Sequence, residues 1–340
     1  MTYQEVLAAA RENMGPLCKS CPVCNGLACK NSIPGPGAKG IGTGAIRNYQ
    51  KWQELCVNMD TICENQRADT SIELFGRKMD IPVFAAPLGA VAKHYGDKYN
   101  DLSYNALLVP GCADAGIAAF TGDGIDPIVM QSTAKAIAGA NGVGIPTIKP
   151  WNMELVQEKV ELVKTANPIA IAMDIDAAGL PFLRNMQPPA GSKTVDQLKQ
   201  IVEWAGEKPF ILKGIMTVAG AKKALEAGAS AIVVSNHGGR VLDQCPATAE
   251  VLPAIADAVG GQMTILVDGG IRSGMDVFKA LALGADAVLI GRPFANMVYG
   301  AGAEGVQVYV NKLQAELADT MEMCGAHSLA DIKRSMIFGF

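Results

Sequence analysis

Ser235-Asn236-His237-Gly238-Gly239-Arg240 is the stretch whose residue types could do chemistry together, and it follows the apolar run Ala231 to Val234. An imidazole can take a proton near neutral pH, and a guanidinium can fork onto a carboxylate. The glycines between them let the backbone and a flat ligand approach closely. An apolar run of this kind reads as a buried parallel strand, and the C-terminal end of such a strand is where an α/β barrel keeps its chemistry. Taken alone, the hexapeptide could also be a helix-capping turn whose His and Arg are merely solvated. Its company in the chain argues for a site.

That company is a repeating pattern from Ile81 onward. Apolar strand candidates fall at Ile81–Ala85, Gly116–Phe120, Val143–Ile148, Ile169–Ile175, Pro209–Leu212, Ala231–Val234, Met263–Val267 and Ala287–Ile290. Helical stretches lie between them at Leu102–Ala115, Pro127–Ala138, Met153–Thr165, Val195–Ala205, Val218–Ala227, Thr248–Val259 and Met275–Leu283. Val251, Leu252, Ile255, Ala256 and Val259 show the three- and four-residue apolar spacing of a helix packed on a core. Eight strands alternating with helices predict a closed parallel (β/α)8 barrel, a TIM barrel, with an N-terminal extension. The expected division is 1–80 as a Cys-rich extension packed on the barrel and 81–340 as the barrel, in a single domain without a Pro/Ser-rich linker.

In a barrel, residues just past each strand converge on one mouth. Here they are Asp174 and Asp176, then Lys213, then Ser235 to Arg240, then Asp268-Gly269-Gly270-Ile271-Arg272, then Gly291-Arg292. Glycines beside cations after the last two strands suit a phosphate held by backbone N–H groups and a helix N-terminus. Lys213 could be a salt-bridged lysine, or a fixed charge stabilising an electron-rich ring such as a flavin. Asp174 and Asp176 could orient His237 or cap the next helix.

Residues 1–80 break the alternation. Thr2 to Glu12 reads as a short amphipathic helix and Asn48 to Met59 as a second. Between them Cys18, Cys21, Cys24 and Cys29 form a C-x2-C-x2-C-x4-C array. Four thiolates so spaced can surround an iron–sulfur cluster or a structural zinc, or can be a thiol-rich loop. Ile33 to Gly44 carries five glycines but no Gly-Lys-Ser/Thr step, so it reads as a flexible cover and not a phosphate loop. A net charge of −4 gives no footprint for nucleic acid or an anionic membrane. With 49% apolar residues there is material for a large core. Met1 to Pro16 lacks a signal peptide's apolar centre, and no run is long enough to span a bilayer, so the expectation is a cytoplasmic protein with reduced cysteines.

Ser235 to Arg240 with Leu242-Asp243, Asp268 to Arg272, Asp276 to Leu281, Leu212-Lys213-Gly214 and Gly291-Arg292-Pro293 together resemble the FMN-dependent 2-hydroxy-acid oxidase/dehydrogenase family, to which glycolate oxidase and lactate oxidase belong. Leu74-Phe75-Gly76 and Ala85-Ala86-Pro87 resemble its entry into the first barrel strand. The likeness covers roughly residues 45 to 300. It implies bound FMN and oxidation of a small 2-hydroxy acid, with His237 as the base, Arg240 as the carboxylate clamp and Asp176 as the partner of His237. It also implies Lys213 beside the flavin N1/O2 edge and Ser235 near the ring. Pro87, Gly89 and Asp174 would contact the cofactor, Asp174 standing where a threonine is usual. Asp268, Gly270, Arg272, Gly291 and Arg292 would hold the ribityl phosphate. Members of the family often form homo-oligomers. The chain departs from the family at the end of strand three, where Gln-x-Tyr is usual and gapless counting puts Pro146 and Ile148. A second active-site tyrosine has no counterpart in Cys18 to Gly44, and the cysteine array is foreign to the family's familiar oxidases. These departures leave room for two alternatives: an FMN-dependent reductase or isomerase using another electron carrier, or a flavin- or metal-bearing redox sensor.

Overall fold

Period-two alternation along short strands builds the centre of the molecule. A computed structural model describes every residue except 181, 182, 184 and 188. In it β3 (Val83–Ala85), β4 (Ala118–Thr121), β5 (Ile145–Ile148), β6 (Ile171–Asp174), β7 (Phe210–Ile215), β8 (Ala231–Val234), β9 (Thr264–Val267) and β10 (Ala287–Ile290) close into a parallel barrel, β10 pairing with β3. Phe84, Phe120, Ile145, Ala172, Ile211, Val233, Leu266 and Leu289 fill its interior. Their sequence neighbours Val83, Ala119, Ile171, Leu212, Val234, Val267 and Ile290 face the surrounding helices.

After a short α3 (Val91–Tyr95), the outer ring consists of α4 (Asp101–Asp114), α5 (Pro127–Gly139), α6 (Met153–Lys164), α7 (Val195–Ala205), α8 (Val218–Glu226), α9 (Thr248–Val259) and α10 (Gly274–Ala282). Their starts are written locally. Asp126 accepts from the Ile128 N–H ahead of Pro127, and Thr194 with Gln197 forms a capping box. All eight anticipated strands are present; four are a residue or two shorter than their apolar runs, β6 is three shorter, β7 two longer, and β8 and β10 coincide with theirs.

The segment before the barrel differs more from expectation. α1 (Tyr3–Asn13) forms where its pattern places it. α2 spans Thr43–Glu54 instead of starting at Asn48, because Gly42 takes a left-handed turn and Gly44 lies against Gly239. The chain turns extended at Leu55, and Val57 bridges to Ile337. A hairpin of β1 (Ile72–Leu74) and β2 (Arg77–Met79) was not foreseen, since three-residue strands give too little periodicity. Ile72, Leu74, Phe75 and Met79 cover the barrel floor below Phe84. The last helix, α11 (Arg292–Met323), bends at Ala301–Gly302 and packs Val306 and Val310 in one core with Val6 and Leu7 of α1. No described helix is long and apolar enough to cross a membrane.

Candidate active site

The inward-facing positions of four strands continue into charge at the mouth. Ala170 and Ala172 lead to Asp174, Ile211 to Lys213, Ala231 and Val233 to Ser235, and Leu266 to Asp268. Lys213 Nζ lies 3.0 Å from Asp174 Oδ1 and 3.6 Å from Asp268 Oδ2, and Lys149 Nζ lies 3.8 Å from Asp174 Oδ2. Burial works to neutralise all three members of the triad. For Lys213 the carboxylates of Asp174, Asp268 and Asp176 outweigh it and hold the ammonium well above its usual range. For Asp174 the charges of Lys213, His237 and Lys149 win, so it stays ionised. For Asp268 burial prevails and raises its carboxyl above the usual value.

His237 stands on a left-handed turn (φ 56°) just past β8, with its Nδ1 3.0 Å from Asp176 Oδ1. Of the two roles open to Asp176, helix cap and imidazole partner, the geometry matches the second. Gly214 makes the pair possible: it sits at φ 104°, and a Cβ there would run into the Asp176 side chain. The turn is fixed from behind. The His237 N–H donates to Ser235 Oγ at 3.0 Å, and the Asn48 and Asn236 amides exchange two hydrogen bonds of 2.7 and 2.9 Å. Gly239 lets α2 touch the turn backbone to backbone, since a Cβ there would meet Ala45 N at 2.8 Å.

Arg240 is half-buried at the rim and already engaged. Its Nη1 donates to the carbonyls of Gly35 and Gly37 at 2.6 and 2.9 Å, so the glycine-rich cover is fastened over the mouth. Its Nη2 lies 3.4 Å from His94 Nε2. The Gly35 N–H donates to His94 Nδ1 at 2.9 Å, and burial first, then the charges of Arg240, Lys93 and Lys149, pushes the ring down to about 4. A neutral ring accepting at Nδ1 carries its proton on Nε2. Two donors, Nε2–H and Nη2–H, therefore converge on one spot and call for an acceptor.

One cleft of about 1170 Å3 collects these groups, roomy against the 300–1,000 Å3 usual for small-molecule sites. Pro87, Gly89, Asp174, Lys213, His237, Arg240, Asp268, Gly270, Arg272, Gly291 and Arg292 all line it, while Ser235 and Asp176 stand directly behind. Arg272 Nε also donates to the Cys24 carbonyl at 2.8 Å. Counting back without gaps misplaces the end of strand three. Ile148 faces the outer core, and the residue that reaches the cleft is Lys149.

A model of the family described as FMN-dependent dehydrogenase matches residues 36–191 and 182–338. The chain belongs to the FMN-dependent dehydrogenase family. An L-lactate dehydrogenase of Xanthomonas axonopodis pv. citri (strain 306) is 46% identical over 148 residues, 44% of this chain and 37% of that protein. An L-lactate oxidase of Roseobacter sp. (strain GAI101) is 46% identical over 147 residues, 43% of this chain and 40% of that protein. A peroxisomal (S)-2-hydroxy-acid oxidase of Oryza sativa subsp. japonica is 43% identical over 152 residues, 45% of this chain and 40% of that protein. The aligned stretch thus spans about two fifths of the curated relatives' length. Over the whole fold, a crystal structure of mandelate oxidase superposes with a TM-score of 0.79 at 27% identity, covering 98% of this chain and 97% of that one.

As a member of the FMN-dependent dehydrogenase family, the chain should offer a place for an anionic phosphate and a flat ring, and its residues fit both. Among the described residues Arg292 Nη1 is buried without a hydrogen-bond partner, and the first turn of α11, behind Gly291, has no side-chain cap. Asp268 Oδ1 is likewise buried without a partner, and as a carboxylate it suits a hydroxyl donor and would repel a phosphate. Four positioning residues gave no usable signal in sequence. His94 and Asn48 lie far along the chain from what they touch, and Lys149 and Asp123 sit on loops. Asp123 accepts from Lys149 N–H (3.0 Å), Trp151 Nε1 (2.7 Å) and Lys159 Nζ (2.6 Å), locking the loop after β5 against the loop after β4.

Proposed function

We propose that the protein oxidises a small 2-hydroxy acid to the 2-oxo acid with FMN held across the barrel mouth. FMN, when bound, supplies the acceptor for the hydride leaving the α-carbon. The phosphate end would be held by Arg292, Arg272 and the backbone at Gly270 and Gly291, and Asp268 would take a ribityl hydroxyl. Lys213, Asp174, Ser235, Pro87 and Gly89 would border the ring, with Lys213 as its buried positive charge.

The chain's own part is binding and proton movement. Arg240 Nη2 and His94 Nε2–H converge as donors and would take the substrate carboxylate between them, setting acids apart from neutral alcohols. His237 donates from Nδ1 to Asp176, which leaves its Nε2 lone pair to take the hydroxyl proton. Asp176 then stabilises the imidazolium. Ile33, Pro34, Leu180, Leu183 and Met186 form an apolar stretch of the cleft wall that would receive the α-substituent. The observation that carries this proposal is the His237–Asp176 pair opening on the same cleft as Arg240 and Lys213. Nine free cysteines and a net charge of −4 support a cytoplasmic setting without nucleic acid as partner.

Adding (S)-2-hydroxy acids to the FMN-loaded protein without oxygen tests it. Bleaching of the flavin by at least one such acid, and not by the matching neutral alcohol, is expected. A flavin that stays oxidised with lactate, glycolate and mandelate alike would contradict the proposal and favour a reductase or isomerase.

A further inference from the structure

Cys18, Cys21, Cys24 and Cys29 take no part in binding the acid or moving its proton. The fold nevertheless brings all four around one small void between Arg292 and Asn296. Each is reduced and half-buried. Their loop is held from outside: Arg11 Nε donates to Ser20 O at 2.9 Å, and Arg272 Nε to Cys24 O at 2.8 Å.

We propose that these four cysteines ligate an iron–sulfur cluster, of the four-iron cubane type, that takes electrons from the flavin. Three observations lead there. Cys18-x2-Cys21-x2-Cys24 is the three-ligand run that cubane-binding ferredoxins use, and the two separated Cys pairs of a structural zinc site are missing. A single zinc, 2.3 Å from each sulfur, would gather the thiols to about 3.8 Å from one another. Among the described residues no three of these thiols fall within 4.8 Å of each other, whereas a cubane keeps iron and sulfide between its ligands and holds them apart. Lastly, four thiolates give the centre net negative charge, and the Arg292 guanidinium lines the same void.

Arg292 and Pro36 also line the large cleft, so one layer of side chains separates the two sites. The relay rests on the FMN reading above. Each turnover leaves two electrons on the flavin. The cluster would accept them singly, iron passing between ferric and ferrous with no bond made or broken, while the protons go to water. A one-electron carrier protein is the co-reactant that drains it. Val23 and Leu27, exposed apolar residues on the same loop, mark the side it would approach.

Full-length protein purified without oxygen should contain about four iron and four acid-labile sulfide per chain, and give an EPR signal on reduction. Cys21→Ser and Cys24→Ser should lose the iron and the signal while keeping FMN. Anaerobic addition of a hydroxy acid should raise the same signal in the parent chain. About one zinc per chain without sulfide, or neither metal nor sulfide after anaerobic reconstitution with iron and sulfide, overturns the cluster. A cluster that stays oxidised while hydroxy acid bleaches the flavin overturns the relay. Failure of every acid to bleach the flavin strikes the oxidase reading instead and leaves the iron and sulfide count standing.

Discussion

Lys213 and Arg240 are cations of one mouth, the first buried and the second half-buried, and they are held in opposite ways. Lys213 rides on a strand. Its direction follows from the barrel's alternation, and its charge is met by Asp174 at the end of the adjacent β6 and by Asp268 just past β9, two strands away. Arg240 rides on a loop past β8, and its charge is met by carbonyls of a segment 203 and 205 residues away. The floor of the site is thus fixed by sheet geometry, and the rim by stitching loops from distant parts of the chain. A strand-borne group is hard to misplace. A loop-borne group depends on every contact that fastens the loop.

The largest effect should come from cutting the strongest of those fastenings. Asp123→Ala leaves Lys159 buried and unpaired, and should cost about 3–5 kcal/mol in denaturant unfolding. A loss under about 1 kcal/mol, the range of surface pairs, would mean the rim does not need that anchor. Next comes the link between floor and rim. Gly214→Ala drives a methyl into Asp176 and should lower the rate of flavin reduction by about 10²-fold at unchanged FMN content. Arg240→Lys should raise KM for the acid about tenfold, because one ammonium cannot span two carbonyls and also face the substrate. It should also expose residues 33–44 to limited proteolysis.

All eight strands and the placing of Asp174, Lys213 and Asp268 at the mouth follow from period two and from residues at strand ends, while spacing left the role of Asp176 open and only the family resemblance implied its pairing with His237. The hairpin at Ile72–Met79 does not, since three residues per strand carry no usable pattern. His94 does not either, because its partners Gly35 and Arg240 come from two other loops. The gapless count that set Pro146 and Ile148 at the mouth slipped by one position, which in a strand turns a side chain to the opposite face and hid Lys149.

The smallest expected effect sharpens the rim half of the comparison. The unfolded chain takes a proton on His94 near pH 6.5, and the folded chain only near 4. Between those values the unfolded state binds more protons, so stability falls as pH drops from about 6.5 to about 4 and rises on the way back. His94→Gln should flatten that part of the pH–stability curve. An unchanged slope would show that the ring is not held neutral.

In the proposed reaction His237 is the group that takes the proton. Stopped-flow reduction of bound FMN by a 2-hydroxy acid, without oxygen, compares the parent chain with His237→Ala at equal flavin content. A drop of about 10²–10⁴-fold in the reduction rate is expected. Reduction at the parental rate would contradict it.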